Sequence, residues 1–193
     1  MQDDESLHSQ VPQPPGFNHS ERGFIGGFLT TARAVLLRPK LFFPHMPVAG
    51  GYLGPYVFFL ICTSFSFLVS LSLDVATGEE MPLTVFLGMT LALLMPFLSA
   101  ALLNLFCTRL LQTSGSYEAT FRVVCYANAV NLLAWIPVFF ILALVQLYQI
   151  YLCALGLSVV HRTSIGRALL AIVGTVVTVS FGIGLVARLF LSP

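Results

Sequence analysis

The sequence predicts an all-α fold, a polytopic transmembrane helical bundle of five spans preceded by an amphipathic interfacial helix. Hydrophobic residues make up 57% of the 193 residues and charged residues only 9%, whereas soluble domains carry about 25% charged residues. The apolar residues form runs that match the ~20 residues needed by a membrane-crossing helix. When these runs are taken as successive spans, nearly all of the basic residues fall on the same side of the membrane. We therefore expect an integral membrane protein.

The first part of the chain precedes the spans. Residues 1–23 are polar, begin with acidic residues and contain three prolines. This composition predicts a disordered cytosolic tail and does not match a signal peptide. Residues 24–55 comprise an apolar-periodic helix over 24–38, accompanied by arginines, and a Pro- and Gly-rich entry segment. Two interpretations of the helix stay open, an interfacial helix on an anionic leaflet and a helix packed under the bundle.

The membrane domain is expected over residues 56–193. Pro96 lies near the middle of the second span and should kink that helix, because proline removes a backbone hydrogen bond. Pro137 divides a long apolar stretch into the third and fourth spans, which form a hairpin. The approximate bounds of the five spans are 56–73, 83–111, 118–135, 137–160 and 168–190.

The positive charges predict the orientation of the chain. With a cytosolic N-terminus, only Arg188 lies on the far side of the membrane. The remaining basic residues are then cytosolic, as the positive-inside rule expects. They are Arg22, Arg33, Arg38, Lys40, Arg109, Arg122, Arg162 and Arg167. The C-terminus is expected on the far side, and Glu118 can pair with Arg122 one helical turn further on.

The third and fourth spans each carry two amide side chains at helical spacing. These are Asn128 and Asn131, followed by Gln146 and Gln149. A turn near residues 138–139 would bring Asn128 level with Gln149 and Asn131 level with Gln146. Buried amides are costly unless they are paired, so we expect a polar intramembrane seam. The seam either fixes the register of the two helices or lines a path for water or a polar solute.

The fifth span has small residues four positions apart at Gly174, Thr178 and Gly182. This spacing predicts a helix-packing face that lets another helix approach closely. The partner is either a span of the same chain or a second copy, which would give a homo-oligomer. The four cysteines are interpreted as small packing residues in preference to a metal or redox cluster. They are Cys62, Cys107, Cys125 and Cys153.

No catalytic motif is recognisable in the sequence. It contains no HExxH, GxSxG or phosphate-binding loop, and no carboxylate lies inside a predicted span apart from Glu118 at a membrane edge. We therefore expect no enzymatic activity, no cofactor, no metal and no nucleic-acid partner. The expected partners are the lipid bilayer and other membrane proteins.

Three stretches resemble the Yip family, five-span membrane proteins named for interaction with Ypt/Rab GTPases. They are VLLRPKLFFPHMPVAGG, GYLGPYVFFL and GSYEATFRVVCYANAVNLLAWIP. Leu53, Gly54 and Pro55 belong to the second stretch, which is similar to the family's Asp-Leu-Tyr-Gly-Pro motif, although the acidic residue is absent. The resemblance covers roughly residues 30–190, and the short tail makes the chain look like a bacterial-type member. It implies a five-span fold with a cytosolic N-terminus, and it supplies no active-site residues to carry over.

The function expected from these observations is that of a membrane scaffold or adaptor in membrane organisation and trafficking. The alternative is a small transporter or channel subunit that uses the amide seam. The expected location is the cytoplasmic (inner) membrane for a bacterial protein and the ER or Golgi for a eukaryotic one.

Overall fold

The computed structural model describes residues 23–77, 83–133 and 139–191. Within these ranges the regular elements are helices. A π-helical turn at Phe106–Leu110 follows the fourth helix, and a 3-10 helix at Asn128–Leu133 follows the fifth. The predicted tail lies almost wholly outside the described residues. The α-helices are α1 Gly23–Leu37, α2 Pro39–His45, α3 Leu53–Thr77, α4 Leu83–Leu105, α5 Tyr117–Ala127, α6 Phe139–Val160 and α7 Ile165–Leu191.

Within the described ranges, four segments are long and apolar enough to cross a membrane. They correspond to the first, second, fourth and fifth spans expected from the sequence, so the predicted class of helical membrane bundle is confirmed. Their apolar residues face outward over much of the surface, as expected for helices surrounded by lipid. The four segments are Leu53–Ser72, Thr90–Leu110, Phe140–Val160 and Ile165–Gly182.

The third expected span, 118–135, has a different form. It falls on α5, which has 11 residues, and on the 3-10 helix, which has 6. A 3-10 helix rises about 2.0 Å per residue and an α-helix about 1.5 Å. Laid end to end the two elements are about 28 Å long, close to the ~30 Å of a bilayer core. The expected turn, with Trp135 and Pro137, lies outside the described residues.

Helix α5 lies at the centre of the bundle, with eight of its 11 residues buried. It runs parallel to α3, because Tyr117 packs near Tyr52 and Asn128, just after α5, bonds to Thr63. It runs antiparallel to α6, because Thr120 contacts His161 near the start of one helix and the end of the other. The other helices therefore surround the least apolar one.

Helix α1 packs along the flank of the bundle. It buries Thr31, Ala32 and Val35, and the Phe28 ring lies 5.1 Å from the Phe58 ring of α3. The Tyr148 hydroxyl of α6 donates a hydrogen bond to the Leu36 carbonyl. One face of the predicted amphipathic helix is thus packed against the bundle, while its opposite face remains exposed.

Candidate functional site

Two connections and the entry to α3 meet at one end of the bundle. The α4–α5 and α6–α7 connections are joined there by a contact of 3.1 Å between Thr113 Oγ1 and His161 Nδ1. We call this region the basic end. It carries four of the arginines that the sequence analysis assigned to one side of the membrane, namely Arg109, Arg122, Arg162 and Arg167.

Arg122 and Glu118 lie one turn apart on α5 and hold the loop that precedes α3. Glu118 Oε1 accepts hydrogen bonds from the Gly51 amide at 2.7 Å and from Arg122 Nη2 at 3.1 Å. Arg122 Nη2 also donates to the Gly51 carbonyl at 2.8 Å. The Arg122 side chain is only 5% exposed, so these charge-assisted bonds are well shielded from water. The expected ion pair between Glu118 and Arg122 is confirmed.

The loop held by this ion pair depends on two consecutive glycines. Gly50 has φ +126° and Gly51 has φ +89°, values that side-chain-bearing residues rarely adopt. A Cβ atom on Gly50 would also lie 3.2 Å from Arg122 Nη2. Glycine therefore permits both the backbone turn and the close approach of the guanidinium group.

The family-like motif Leu53, Gly54 and Pro55 forms the first turn of α3, directly after this loop. Leu53 is exposed and Pro55 is buried. Proline suits the first turn of a helix because the amide hydrogen that it lacks has no partner there. The motif thus starts α3 at the point where Glu118 and Arg122 hold the preceding backbone.

An aromatic cluster joins α3, α4 and α5 beside the motif. The Phe121 ring lies 4.8 Å from Phe97 and 5.3 Å from Tyr52. The Tyr56 hydroxyl donates to the Leu93 carbonyl and the Tyr117 hydroxyl to the Phe97 carbonyl, each at 3.2 Å. These carbonyls flank Pro96, which has no N–H and so removes one backbone donor from this stretch of α4. The tyrosines supply donors near that gap.

His161 links the two connections from the inside. Its side chain is buried, with Nε2 2.8 Å from Thr120 Oγ1 and Nδ1 near Thr113. Gly115 packs against the ring so closely that a Cβ atom there would overlap it. Burial lowers the pKa of His161 below its ordinary value, because it disfavours the charged imidazolium.

The hydrogens available to this network can be counted. Thr113 Oγ1 also lies 2.8 Å from the Cys107 carbonyl, and Thr120 Oγ1 lies 3.1 Å from the Ser116 carbonyl. Thr120 Oγ1 also lies 3.5 Å from Asn104 Oδ1, which makes five contacts. A neutral imidazole and two hydroxyls provide three hydrogens for them, and an imidazolium provides only one more. Burial opposes the charge, and one further hydrogen bond contributes less than a buried cation costs. The ring is therefore neutral under ordinary conditions.

The amide side chains are not paired as the sequence analysis expected. Asn128 Nδ2 donates to Thr63 Oγ1 of α3 at 2.9 Å, and Asn131 Nδ2 donates to Asn128 Oδ1 at 2.8 Å. Gln146 is exposed and Gln149 half-buried, and within the described residues neither bonds to the asparagines. The reason is the 3-10 helix, which places residues three apart on one edge and turns both asparagines toward α3.

The small-residue face of α7 contacts another helix at one of its three positions. A Cβ atom on Gly174 would lie 2.8 Å from the Phe106 ring, so α7 approaches the π-helical turn closely. Thr178 donates to the Gly174 carbonyl at 2.8 Å and is exposed. Gly182 is also exposed, and a Cβ atom there would meet no other atom of the described residues within 4 Å. A second copy of the chain on this face stays a prediction.

The closest glycine contact between helices was missed by sequence reasoning. A Cβ atom on Gly156 of α6 would overlap the Val123 side chain of α5 and lie 2.9 Å from the Phe43 ring of α2. A single glycine in an apolar run has no partner at four-residue spacing, so no pattern marked it. His161 was also not singled out, because its contacts with Thr113 and Thr120 involve residues 48 and 41 positions away.

These features define an integral membrane protein in which apolar helices surround a short polar helix. A family model described as the Yip1 domain matches residues 33–187. The chain belongs to the Yip1 family, as the sequence resemblance suggested, and the match includes the held loop, the motif and His161. A search of curated proteins found no match, and neither did a search of solved structures.

Proposed function

We propose that this Yip1-family protein is a non-enzymatic membrane scaffold or adaptor that organises lipid and other membrane proteins through α1. The observation that carries the proposal is the presence of two apolar faces on this helix. The inner face is buried against the bundle. On the outer face Ile25 is 71%, Leu29 59% and Leu37 67% exposed, so the outer face is open to lipid or to another membrane protein.

The outer face combines apolar and basic residues. Ile25, Leu29, Arg33 and Leu37 recur every four residues and therefore follow one side of the helix. Arg38 and Lys40 follow directly and are also exposed. An apolar stripe with neighbouring basic residues favours the boundary between acyl chains and anionic headgroups.

The contacts between α1 and the bundle hold the outer face of α1 in one orientation. Phe28 packs on Phe58, and Tyr148 bonds to the Leu36 carbonyl. Helix α2 then anchors the next turn by burying Phe42 and Phe43. An adaptor surface held in one orientation loses less conformational entropy when it binds than a mobile segment does.

The test replaces Ile25, Leu29 and Leu37 with alanine in the full chain. Alanine keeps the helix propensity and leaves the buried face intact, which deletion of the helix would not. The control replaces Leu91, Leu94 and Leu98 of α4 with alanine, because these side chains are also well exposed. Vesicle diameter after reconstitution and crosslinking to neighbouring membrane proteins are measured for both. We expect both readouts to change only in the α1 variant, and unchanged readouts would reject the proposal.

A second candidate function, a small transporter or channel subunit, is favoured by one observation. A pocket of about 250 Å³ lies between α3, α4 and the 3-10 helix, and Thr63, Ser66, Ser70 and Asn131 contribute polar groups to it. A transporter predicts that Asn128→Leu with Asn131→Leu abolishes flux while folding is retained. If the protein is a scaffold, the unmodified chain transports no solute, and the double variant has a lower free energy of unfolding.

A further inference from the structure

A polar pocket of about 490 Å³ opens at the basic end, between the α4–α5 and α6–α7 connections. Its lining includes the buried His161 and its partner Thr113. Its lining carries two arginines and several hydroxyl and amide groups, but no carboxylate. The lining residues used in the argument are Gln112, Ser114, Arg162, Thr163, Ser164 and Arg167.

The charges of this pocket are not neutralised within the described part of the chain. The ion pair found there joins Arg122 to Glu118, and Glu118 is already engaged by Arg122 and Gly51. Arg162 and Arg167 are exposed and form no ion pair with a described carboxylate. Two guanidinium groups around one cavity favour a phosphate group, whose oxygens accept their paired N–H donors.

The backbone and hydroxyl groups of the pocket add further donors. Ser164 directly precedes α7, and its Oγ accepts from the Arg167 amide at 3.4 Å. The N–H groups at the start of a helix favour an anion. The two non-glycine residues with positive φ in the described chain, Gln112 and Arg162, both line this pocket.

The position of the pocket indicates the source of the phosphate. Three of the four candidate spans end or begin beside it, at Leu110, Val160 and Ile165, which places the pocket at the level of lipid headgroups. Leu110 precedes the lining residue Gln112 by two positions and Leu170 follows Arg167 by about one helical turn, and they are 69% and 63% exposed. A phosphate in the pocket can therefore remain attached to acyl chains that lie along α7. A soluble phosphate compound lacks acyl chains and would leave this apolar surface uncovered.

We propose that this pocket binds the phosphate group of an anionic phospholipid, with Arg162 and Arg167 as its charge partners. The proposal concerns a different surface from α1 and does not depend on the scaffold function. Basic pockets between transmembrane helices on the positively charged side commonly recognise anionic headgroups.

The experiment measures binding of short-chain lipids to the purified full chain in a neutral detergent. The probes are dioctanoyl phosphatidylglycerol, dioctanoyl phosphatidylcholine and inorganic phosphate. We expect the anionic lipid to bind at least about tenfold more tightly than the neutral lipid or phosphate, since two arginines face its negative charge and its acyl chains contact apolar surface. Equal binding of the two lipids would overturn the proposal. Phosphate binding as tight as the anionic lipid would overturn the lipid source.

The variants test the residues. Arg162→Gln with Arg167→Gln should weaken binding of dioctanoyl phosphatidylglycerol at least about tenfold, whereas Arg162→Lys with Arg167→Lys should retain part of it. The control is Arg109→Gln, because Arg109 is an exposed arginine at the same end but outside the pocket lining. A control that weakens binding as much as the double variant would overturn the proposal. If the double variant does not fold, the three probes on the unmodified chain decide the question.

Discussion

Helices α5 and α7 differ in which side chains they bury. Helix α5 buries polar side chains, whereas α7 exposes apolar ones. Helix α5 contains Glu118, Thr120 and Arg122, yet eight of its 11 residues are buried. Helix α7 is mostly aliphatic, yet many of its large side chains, such as Val176, Val177 and Phe181, are exposed. In lipid an aliphatic surface needs no cover, whereas polar groups must find partners inside the protein. The least apolar helix therefore occupies the centre of the bundle.

This difference predicts where substitutions matter. Contacts around α5 join helices that are far apart in the sequence, so a change there should lower the stability of the whole bundle. Changes on the outer face of α7 should have little effect on a single chain. The following substitutions test this contrast in the order of expected effect.

Arg122→Leu should give the largest loss. It removes the cation that holds both Glu118 and the Gly51 carbonyl, and it leaves a half-buried carboxylate without its partner. We expect the free energy of unfolding in detergent to fall more than for any substitution described below, because the buried guanidinium joins α5 to the loop before α3. The control is Arg109→Leu at an exposed site. An equal effect of the two substitutions would contradict the central role of α5.

Gly156→Ala should give the next largest loss. The added methyl group would overlap Val123 and the Phe43 ring, and overpacking of this kind costs about 1–3 kcal/mol. Gly182→Ala is the matched control on α7, where space is open. We expect the control to leave the thermal midpoint nearly unchanged. Similar midpoints for the two variants would show that α6 does not approach α5 and α2 closely.

Asn128→Leu should be destabilising while Gln146→Leu should be nearly neutral. Asn128 bonds to Thr63 and accepts from Asn131, and hydrogen bonds between membrane helices contribute about 0.6–2 kcal/mol each. Gln146 is exposed on α6. The comparison is made by unfolding both variants in the same detergent. A larger loss for Gln146→Leu would restore the pairing expected from the sequence.

The smallest effect concerns pH and His161. Burial holds the pKa of His161 below its ordinary value of 6.5, so the unfolded chain binds a proton more readily than the folded chain. The contribution of the neutral ring to stability is present above pH ~6.5 and decreases as the pH falls below it. The ring contacts the Thr113 and Thr120 hydroxyls, and the charged groups that line the same pocket as the ring are Arg162 and Arg167.

The measurement is the thermal midpoint as a function of pH, for the unmodified chain and for His161→Gln. We expect the midpoint to fall more steeply on acidification in the unmodified chain. Identical slopes would show that His161 does not titrate with folding.

The sequence predicted the outer features of this fold better than its interior. Apolar runs and the distribution of arginines indicated the class and four long helices, because lipid requires long apolar segments. The partners of Asn128 and His161 could not be predicted, since they depend on a 3-10 helix and on contacts between residues 41 to 65 positions apart. The ion pair of Glu118 and Arg122 was predictable because it is local, but its contact with Gly51 was not.

The most direct test of the account is the hydration of its centre. A single cysteine replaces Asn128 in a chain whose four native cysteines are changed to alanine, and a second protein carries the cysteine at Arg162 instead. Both are reconstituted in vesicles and treated on both sides with a small membrane-impermeant thiol reagent. We predict complete reaction at position 162, which is exposed, and none at position 128, which is 5% exposed. Rapid reaction at position 128 in folded protein would contradict a dry structural centre and favour the transporter.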